Sequence, residues 1–284
     1  AYCNCPDKLT TITLNLTLGY GKSKTMQMVS NSESRMIEVQ RKDGVGRRRD
    51  YIGTPGEIID GPQGFLVERP YAGARVDPHF HDIDQFQVIV AGDGRIGKKL
   101  VKPITFQYAD AYTPYGPIVA DDDGISFFTL RNVASGGHFS MPGSRHLMPC
   151  RAGRNIAGDL DLNSEVLAEN EVTRESLMDT QDDGVHAESI HLGPNASASG
   201  VPCEGGGQYY LVCDGTLVEN GKTLDELSLM HVGADEGTLT LHAGPKGATV
   251  LAMQFGRPSE RLGSDPRKMT DRDPGAYVLK TEKP

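Results

Sequence analysis

The chain has 284 residues, room for two modest domains, and carries 29 basic against 38 acidic side chains. The formal charge of -9 argues against a nucleic-acid surface, whose phosphates demand a basic face. Thirty-four glycines, 17 prolines and no tryptophan predict many short strands joined by tight turns, with cores of Val, Ile, Leu and Met. No apolar run reaches the roughly 18 residues of a membrane span, and no signal peptide is visible. Cys3, Cys5, Cys150, Cys203 and Cys213 are odd in number and scattered, so they read as free thiols in a reducing compartment. A cytoplasmic protein is expected.

Residues 1–25 differ in composition from the rest and are expected to be a leader, with Met26 and Met28 as candidate starts. Within them, the alternation of Leu9 to Leu16 suits an edge strand. From Met36 to Val39 onward the pattern is strand and turn, continuing through Gly64 to Arg69. Next come Pro78-His79-Phe80-His81 and the alternating run Gln87 to Val90, stopped by Gly92-Asp93-Gly94. Ile104 to Tyr108, Tyr112 to Val119 and Ile125 to Arg131 complete a set of short strands at the spacing of a barrel or sandwich. Residues 141–183 break this pattern. They are polar, with a weak helical signal between Ser164 and Asp179, and are expected to connect two domains. Strands resume at Gly184.

The strand pattern is written twice. Residues 124–131 lie over 247–254, and Ile104-Thr105-Phe106 over Leu227-Ser228-Leu229, both at an offset of 123. Residues 87–94 lie over 208–215 at an offset of 121, which places a two-residue difference in the loop before Ile104. The expected organisation is a first barrel over 26–140, a connection over 141–183, a second barrel over 184–262 and a tail over 263–284.

On a strand, side chains two apart share a face, so His79 and His81 aim two imidazoles into one space. The spacing Gly73-x5-His79-x-His81-x3-Gln85-x6-Gly92 resembles the first motif of the cupin superfamily, with Gln85 where the family has Glu. Pro114-x-Gly116 resembles part of its second motif, whose histidine position is Val119 here. With the repeat, the chain resembles a bicupin: all-β, two tandem jelly-roll barrels with a polar connecting segment. The resemblance implies a divalent metal in the first barrel, Fe or Mn before Zn, Ni or Cu, held by His79, His81 and Gln85. The second barrel carries Gly200 and Pro202 at the histidine positions and Gly206 at the Glu position of that alignment. It keeps only His242, equated with Val119, and is expected to be structural.

Tyr108, Asp110 and Tyr112 share one face if their strand is regular, and are the candidate proton donors and acceptors. Gln87, Tyr115 and Arg131 are candidates for gripping a substrate. Asp77, Asp82 and Asp84 are either partners of the histidines or loop charges, and His138 is a possible third imidazole from the exit loop. No nucleophile elbow or phosphate-binding glycine loop is present. Two functions remain open at this point. One is a metal-dependent, dioxygenase-like enzyme acting on a small oxygenated molecule. The other is a metal-free bicupin that binds a small ligand, or less commonly acts as an isomerase or hydrolase. Neither nucleic acid nor membrane is expected as a partner, and a homodimer is.

Overall fold

The computed structural model describes residues 26–55, 61–149, 151–162, 166–261 and 263. The expected edge strand at Leu9 to Leu16, and Cys3, Cys5 and Cys150, lie outside these. Among the described residues there are strands and two short 3-10 turns but no α-helix. The helical signal in the connection is therefore overturned: Val172–Met178 is a strand pairing with His186–Leu192. Apolar spacing there was too sparse to fix a period, and pairing decided the conformation.

Two large antiparallel sheets carry the fold. The first runs Asn155–Asp159, Thr105–Ala109, Gln85–Ala91, Ile125–Arg131, Gln63–Arg69, Val45–Ile52, Arg35–Gln40 in spatial order. A four-stranded sheet built from Arg75–Val76, Ile118–Ala120, Gly94–Ile96 and Lys99–Val101 belongs to the same half of the chain. The second large sheet runs Gln27–Val29, Leu229–Val232, Gln208–Glu219, Thr240–Gln254, His186–Leu192, Val172–Met178. Gln27–Val29 thus pairs in the second sheet, and the connection gives strand Asn155–Asp159 to the first and Val172–Met178 to the second.

The register shows how closely the halves repeat. Phe86, Gln87 and Val88 face Leu130, Thr129 and Phe128, as Tyr209, Tyr210 and Leu211 face Met253, Ala252 and Leu251. Val88 and Ala109 face Phe106 and Gln85, as Leu211 and Val232 face Leu229 and Gln208. One offset of 123 therefore holds throughout, and Gln85 corresponds to Gln208. The offset of 121 expected for this strand, with its two-residue difference in the loop, is corrected. So are Gly200, Pro202 and Gly206 as the second barrel's motif positions, which become Pro202, Glu204 and Gln208.

Two glycine pairs mark the repeat independently. Gly92 and Gly215 both have φ of 73°. A Cβ on Gly92 would lie 2.1 Å from the carbonyl oxygen of Gly124, and one on Gly215 would lie 2.2 Å from that of Gly247. Only glycine fits both the left-handed backbone and this approach.

Three cores result. Phe65, Val67, Ile89, Ile118, Ile125 and Phe127 fill one end of the first barrel. Ile190, Tyr210, Val212, Met230, Leu241, Val250 and Ala252 fill the second. Between the barrels the outward faces of the two large sheets meet: Phe86, Val88, Phe106, Tyr108, Phe128 and Leu130 against Tyr209, Leu211, Leu229, Leu251 and Met253. Full burial of each large apolar side chain contributes about 1.5–3 kcal/mol. No helix among the described residues is long and apolar enough to cross a membrane.

Gly92→Ala should cost about 3 kcal/mol of unfolding free energy by urea titration, as a strained backbone and a backbone clash combine. Gly215→Ala should cost a similar amount. A loss under 0.5 kcal/mol in both would contradict the close approach.

Candidate functional site

The first barrel's inner face changes character along its strands. At one end are Val67, Phe127 and Ile89; one step on, Thr129, Gln87 and Gln107 stand abreast; at the last step Arg131 and Gln85 are neighbours. All five polar side chains are buried. Gln107 Nε2 donates to Gln87 Oε1 at 2.6 Å.

His79 and His81 reach this polar end from the chain just before Gln85. His79 is tied to Tyr115 by reciprocal backbone hydrogen bonds, His79 N to Tyr115 O at 3.1 Å and Tyr115 N to His79 O at 3.0 Å. Its Nδ1 donates to the Asp77 carbonyl at 2.8 Å, and its Nε2 accepts from the Tyr115 hydroxyl at 2.9 Å. His81 Nδ1 donates to the Gly137 carbonyl at 2.6 Å. Its Nε2 accepts from Arg131 Nη2 at 3.1 Å. Carbonyl oxygens can only accept, so both rings carry their proton on Nδ1 and turn an Nε2 lone pair inward. The ring centroids lie 5.2 Å apart.

Gln85 links the two histidine arms. Its Nε2 donates to the Tyr115 hydroxyl at 2.5 Å, and its Oε1 accepts from Arg131 Nε and Nη2, both at 3.3 Å. Tyr115 also borders a cavity of about 350 Å³ lined by Lys99, Val101, Thr105, Gln107, Gly116 and Asn155 among others. Tyr115 thus lies between the cavity and the buried Gln85 and His79 that its hydroxyl bonds. Burial, then the neighbouring His138, lowers the His79 pKa to about 3. Burial, then the charge of Arg131, holds His81 well below the usual imidazole range. Burial pushes the Tyr115 phenol up. At neutral pH the site contains neutral imidazoles, a neutral phenol and one permanent cation.

The residues around the histidines have distinct tasks. Asp77 serves His79 through its carbonyl, while its side chain pairs with Arg75 at 2.7 Å. Asp82 Oδ1 accepts from Ser135 Oγ and Gly136 N, both at 2.9 Å, which holds the loop whose Gly137 carbonyl orients His81. Asp84 binds Arg261 and accepts from Ala111 N at 2.8 Å. His138 stacks on His79 with ring centroids 3.9 Å apart.

Six predicted site residues come together here: His79, His81, Gln85, Gln87, Tyr115 and Arg131. Of the three candidate proton carriers, Tyr108 and Asp110 do not join them, and Tyr112 is tied to them through its backbone N–H, which donates to the His81 carbonyl at 2.7 Å. Thr105–Ala109 ends before Asp110, so the shared face expected for Tyr108, Asp110 and Tyr112 does not form. Tyr108 packs against Phe86 and Phe255 between the barrels. Asp110 bonds Arg154 at 2.9 Å and Arg261 at 3.3 Å, and Arg154 bonds Asp183 in turn. Tyr112 lies at the rim, half-buried, its ring 5.8 Å from that of Phe80. Gln107 on the opposite strand face was missed. The signal was its place between the bulky Phe106 and Tyr108, which belong to the core between the barrels. In the second barrel His242 is exposed and bonds Ser197 at 2.8 Å, outside the interior.

As arranged, these residues do not fit a divalent metal ion. Arg131 donates to His81 Nε2 and to Gln85 Oε1, two of the three expected donor atoms. The third, His79 Nε2, accepts from Tyr115. Among the described residues no group of three or more His, Cys, Asp or Glu side chains is placed to hold a metal.

No family model matches the sequence, and no curated protein matches it. Solved structures do. A protein of Nostoc punctiforme, provisionally described as a dioxygenase, is 11% identical with a TM-score of 0.59, over 84% of this chain and 85% of that one. Bacillus subtilis oxalate decarboxylase, with its Mn(II) centres, is 12% identical with a TM-score of 0.51, over 82% and 78% of the two chains. The bacterial pirin of Escherichia coli in complex with nickel(II) is 12% identical with a TM-score of 0.50, over 82% and 100%. The chain has a bicupin fold, two jelly-roll barrels in tandem, as these structures do. At these identities the likeness establishes architecture and leaves the chemistry to the site.

The buried neutral imidazoles set a pH dependence. An unfolded histidine titrates near 6.5 whereas His79 folded titrates near 3, so stability is complete above about 6.5 and falls as pH drops toward the folded value. Each such group costs up to about 1.4 kcal/mol per pH unit across that window. His79→Asn should flatten the urea-unfolding slope between pH 6 and 4 by about one proton. Equal slopes in the two proteins would refute the neutral buried ring.

Proposed function

We propose that the first barrel is the functional half and that it binds a small, oxygen-rich organic molecule in the cavity beside Tyr115 and Gln107. The supporting observation is the contrast between the two barrels at corresponding positions. Where the first has Gln87, Gln107 and Thr129, the second has Tyr210, Met230 and Ala252, all part of its packed core. Of the first barrel's three, Gln107 borders the cavity and bonds Gln87 behind it, whereas the second barrel's three are packed in its apolar core. Cavities of this kind, with a few polar groups converging on them, are where small molecules bind. Lys99 at the cavity is bonded to Asp159 at 3.3 Å, and the amides of Gln107 and Asn155 beside it suit a ligand with hydroxyl or carbonyl oxygens. A raised phenol pKa and a depressed imidazole pKa make Tyr115 and His79 hydrogen-bonding groups rather than a base poised near neutrality.

Metal-dependent oxidation is the second reading. It is favoured by the two Nε2 lone pairs turned inward with their Nδ1 protons held by carbonyls, the orientation that ligating histidines need. The provisional dioxygenase, the decarboxylase with Mn(II) and the pirin with nickel(II) are in keeping with it. It requires Arg131 and Tyr115 to turn away from the donor atoms.

Thermal-shift screening of small hydroxy and oxo carboxylates, catechols and flavonols on untagged protein tests both. The ligand reading expects stabilisation by at least one compound, abolished by Tyr115→Phe or Gln107→Leu, with well under 0.1 metal ion per chain. No stabilising compound, or stabilisation indifferent to both substitutions, would sink it. About one metal ion per chain, lost in His79→Ala, would establish the second reading instead.

A further inference from the structure

We propose that Arg131 is a built-in cation that occupies the position a divalent ion would need in the first barrel and keeps such ions out. This deepens the metal-free reading above and rests on it for its functional meaning. The geometry stands by itself. A metal held by His79, His81 and Gln85 would have to sit where Nε2 of both rings and Oε1 of the amide converge. The guanidinium already donates to two of those three atoms, His81 Nε2 at 3.1 Å and Gln85 Oε1 at 3.3 Å. A donor N–H and a metal ion cannot share one lone pair. The residual set, two neutral imidazoles and a neutral amide, brings no negative charge to offset the repulsion between a dication and a buried guanidinium.

Arg131 is held in place on several sides. It lies at the end of Ile125–Arg131, a strand paired on both edges. Its carbonyl accepts from the second barrel's Tyr209 hydroxyl at 2.7 Å. Its guanidinium carbon lies 5.4 Å from the centre of the Phe65 ring, a stacking contact that suits arginine. Swinging the side chain aside for a metal would break these side-chain contacts together. The arginine also orients the amide: with Oε1 turned to the guanidinium, Gln85 must present its NH2 to Tyr115. The Tyr115 hydroxyl is thereby fixed between a donor and an acceptor.

The second barrel supplies the control. Gln208 corresponds to Gln85, and Gln254, which faces it, corresponds to Arg131. Gln208 Nε2 donates to Gln254 Oε1 at 2.9 Å, and the Tyr210 hydroxyl donates to Gln208 Oε1 at 2.6 Å. The same two strands therefore accommodate a neutral amide at the arginine's position. There the glutamine oxygen accepts from Tyr210, a residue at the position of Gln87 in the first barrel. Arg131→Gln places at this position the residue type that the second barrel carries there, Gln254.

Co(II) is the probe, because its bound visible spectrum reports imidazole ligation without turnover. Wild-type protein freed of metal by EDTA and dialysis should show no stoichiometric Co(II) spectrum at micromolar concentrations. Arg131→Gln and Arg131→Ala should bind one Co(II) per chain at least tenfold more tightly than wild type, and His79→Ala in either background should abolish it. Stoichiometric Co(II) binding by wild type through His79 would overturn the proposal. So would folded Arg131→Gln and Arg131→Ala proteins that bind no better than wild type. Because no organic ligand is involved, a failed compound screen leaves this result standing, and the reverse also holds.

Discussion

Burial of the two central sheets on both faces is the constraint from which the site follows. The outward faces of both sheets meet to form the core between the barrels, so every second residue of each central strand is committed to that interface. The alternate residues are left to line the barrel interiors. In Gln85–Ala91 this sends Phe86 and Val88 to the interface and Gln85, Gln87 and Ile89 inward. In Ile125–Arg131 it sends Phe128 and Leu130 outward and Phe127, Thr129 and Arg131 inward. A shift of one residue in any of these strands would move the polar set into the apolar interface.

Duplication has produced two barrels with one backbone plan and different contents. The glycine pairs Gly92 with Gly124 and Gly215 with Gly247 keep the same close approach at both sites, so the plan is maintained to the residue. Inside, the second barrel has gained Tyr210 and Met230 where the first has glutamines, and its central amide pair is neutral. Filling a barrel with apolar volume stabilises it and removes the room for a guest. The barrels still depend on each other. Tyr209 of the second holds the carbonyl of Arg131, and Asn132 Nδ2 donates to the Gly206 carbonyl at 2.8 Å.

A continuous set of hydrogen bonds runs through the first barrel's polar end, from the Arg131 guanidinium through Gln85 to the Tyr115 hydroxyl, His79 and the Asp77 carbonyl. Each member fixes the orientation of the next, and buried polar groups arranged this way are costly to disturb one at a time. The single permanent charge is positive. Burial first, with a neighbouring ring and this charge adding to it, depresses the pKa values of His79 and His81.

The sequence by itself determined the strand-and-turn class, the tandem repeat, the two barrels and the pairing of His79 with His81, because short-range patterns and turn glycines encode them. It also placed Gln85, Gln87, Tyr115 and Arg131 among the candidates. It misplaced Tyr108, since a strand buried on both faces is not amphipathic and its inward face cannot be read from hydrophobicity, and Asp110, because the strand ends at Ala109. Spacing alone also suggested an offset of 121 for one strand, which cross-strand register replaced with 123. Only the tertiary structure brought Arg131 to the imidazole of His81, fifty residues away. That meeting depends on which strands lie side by side, a long-range relation that no local pattern in the chain records.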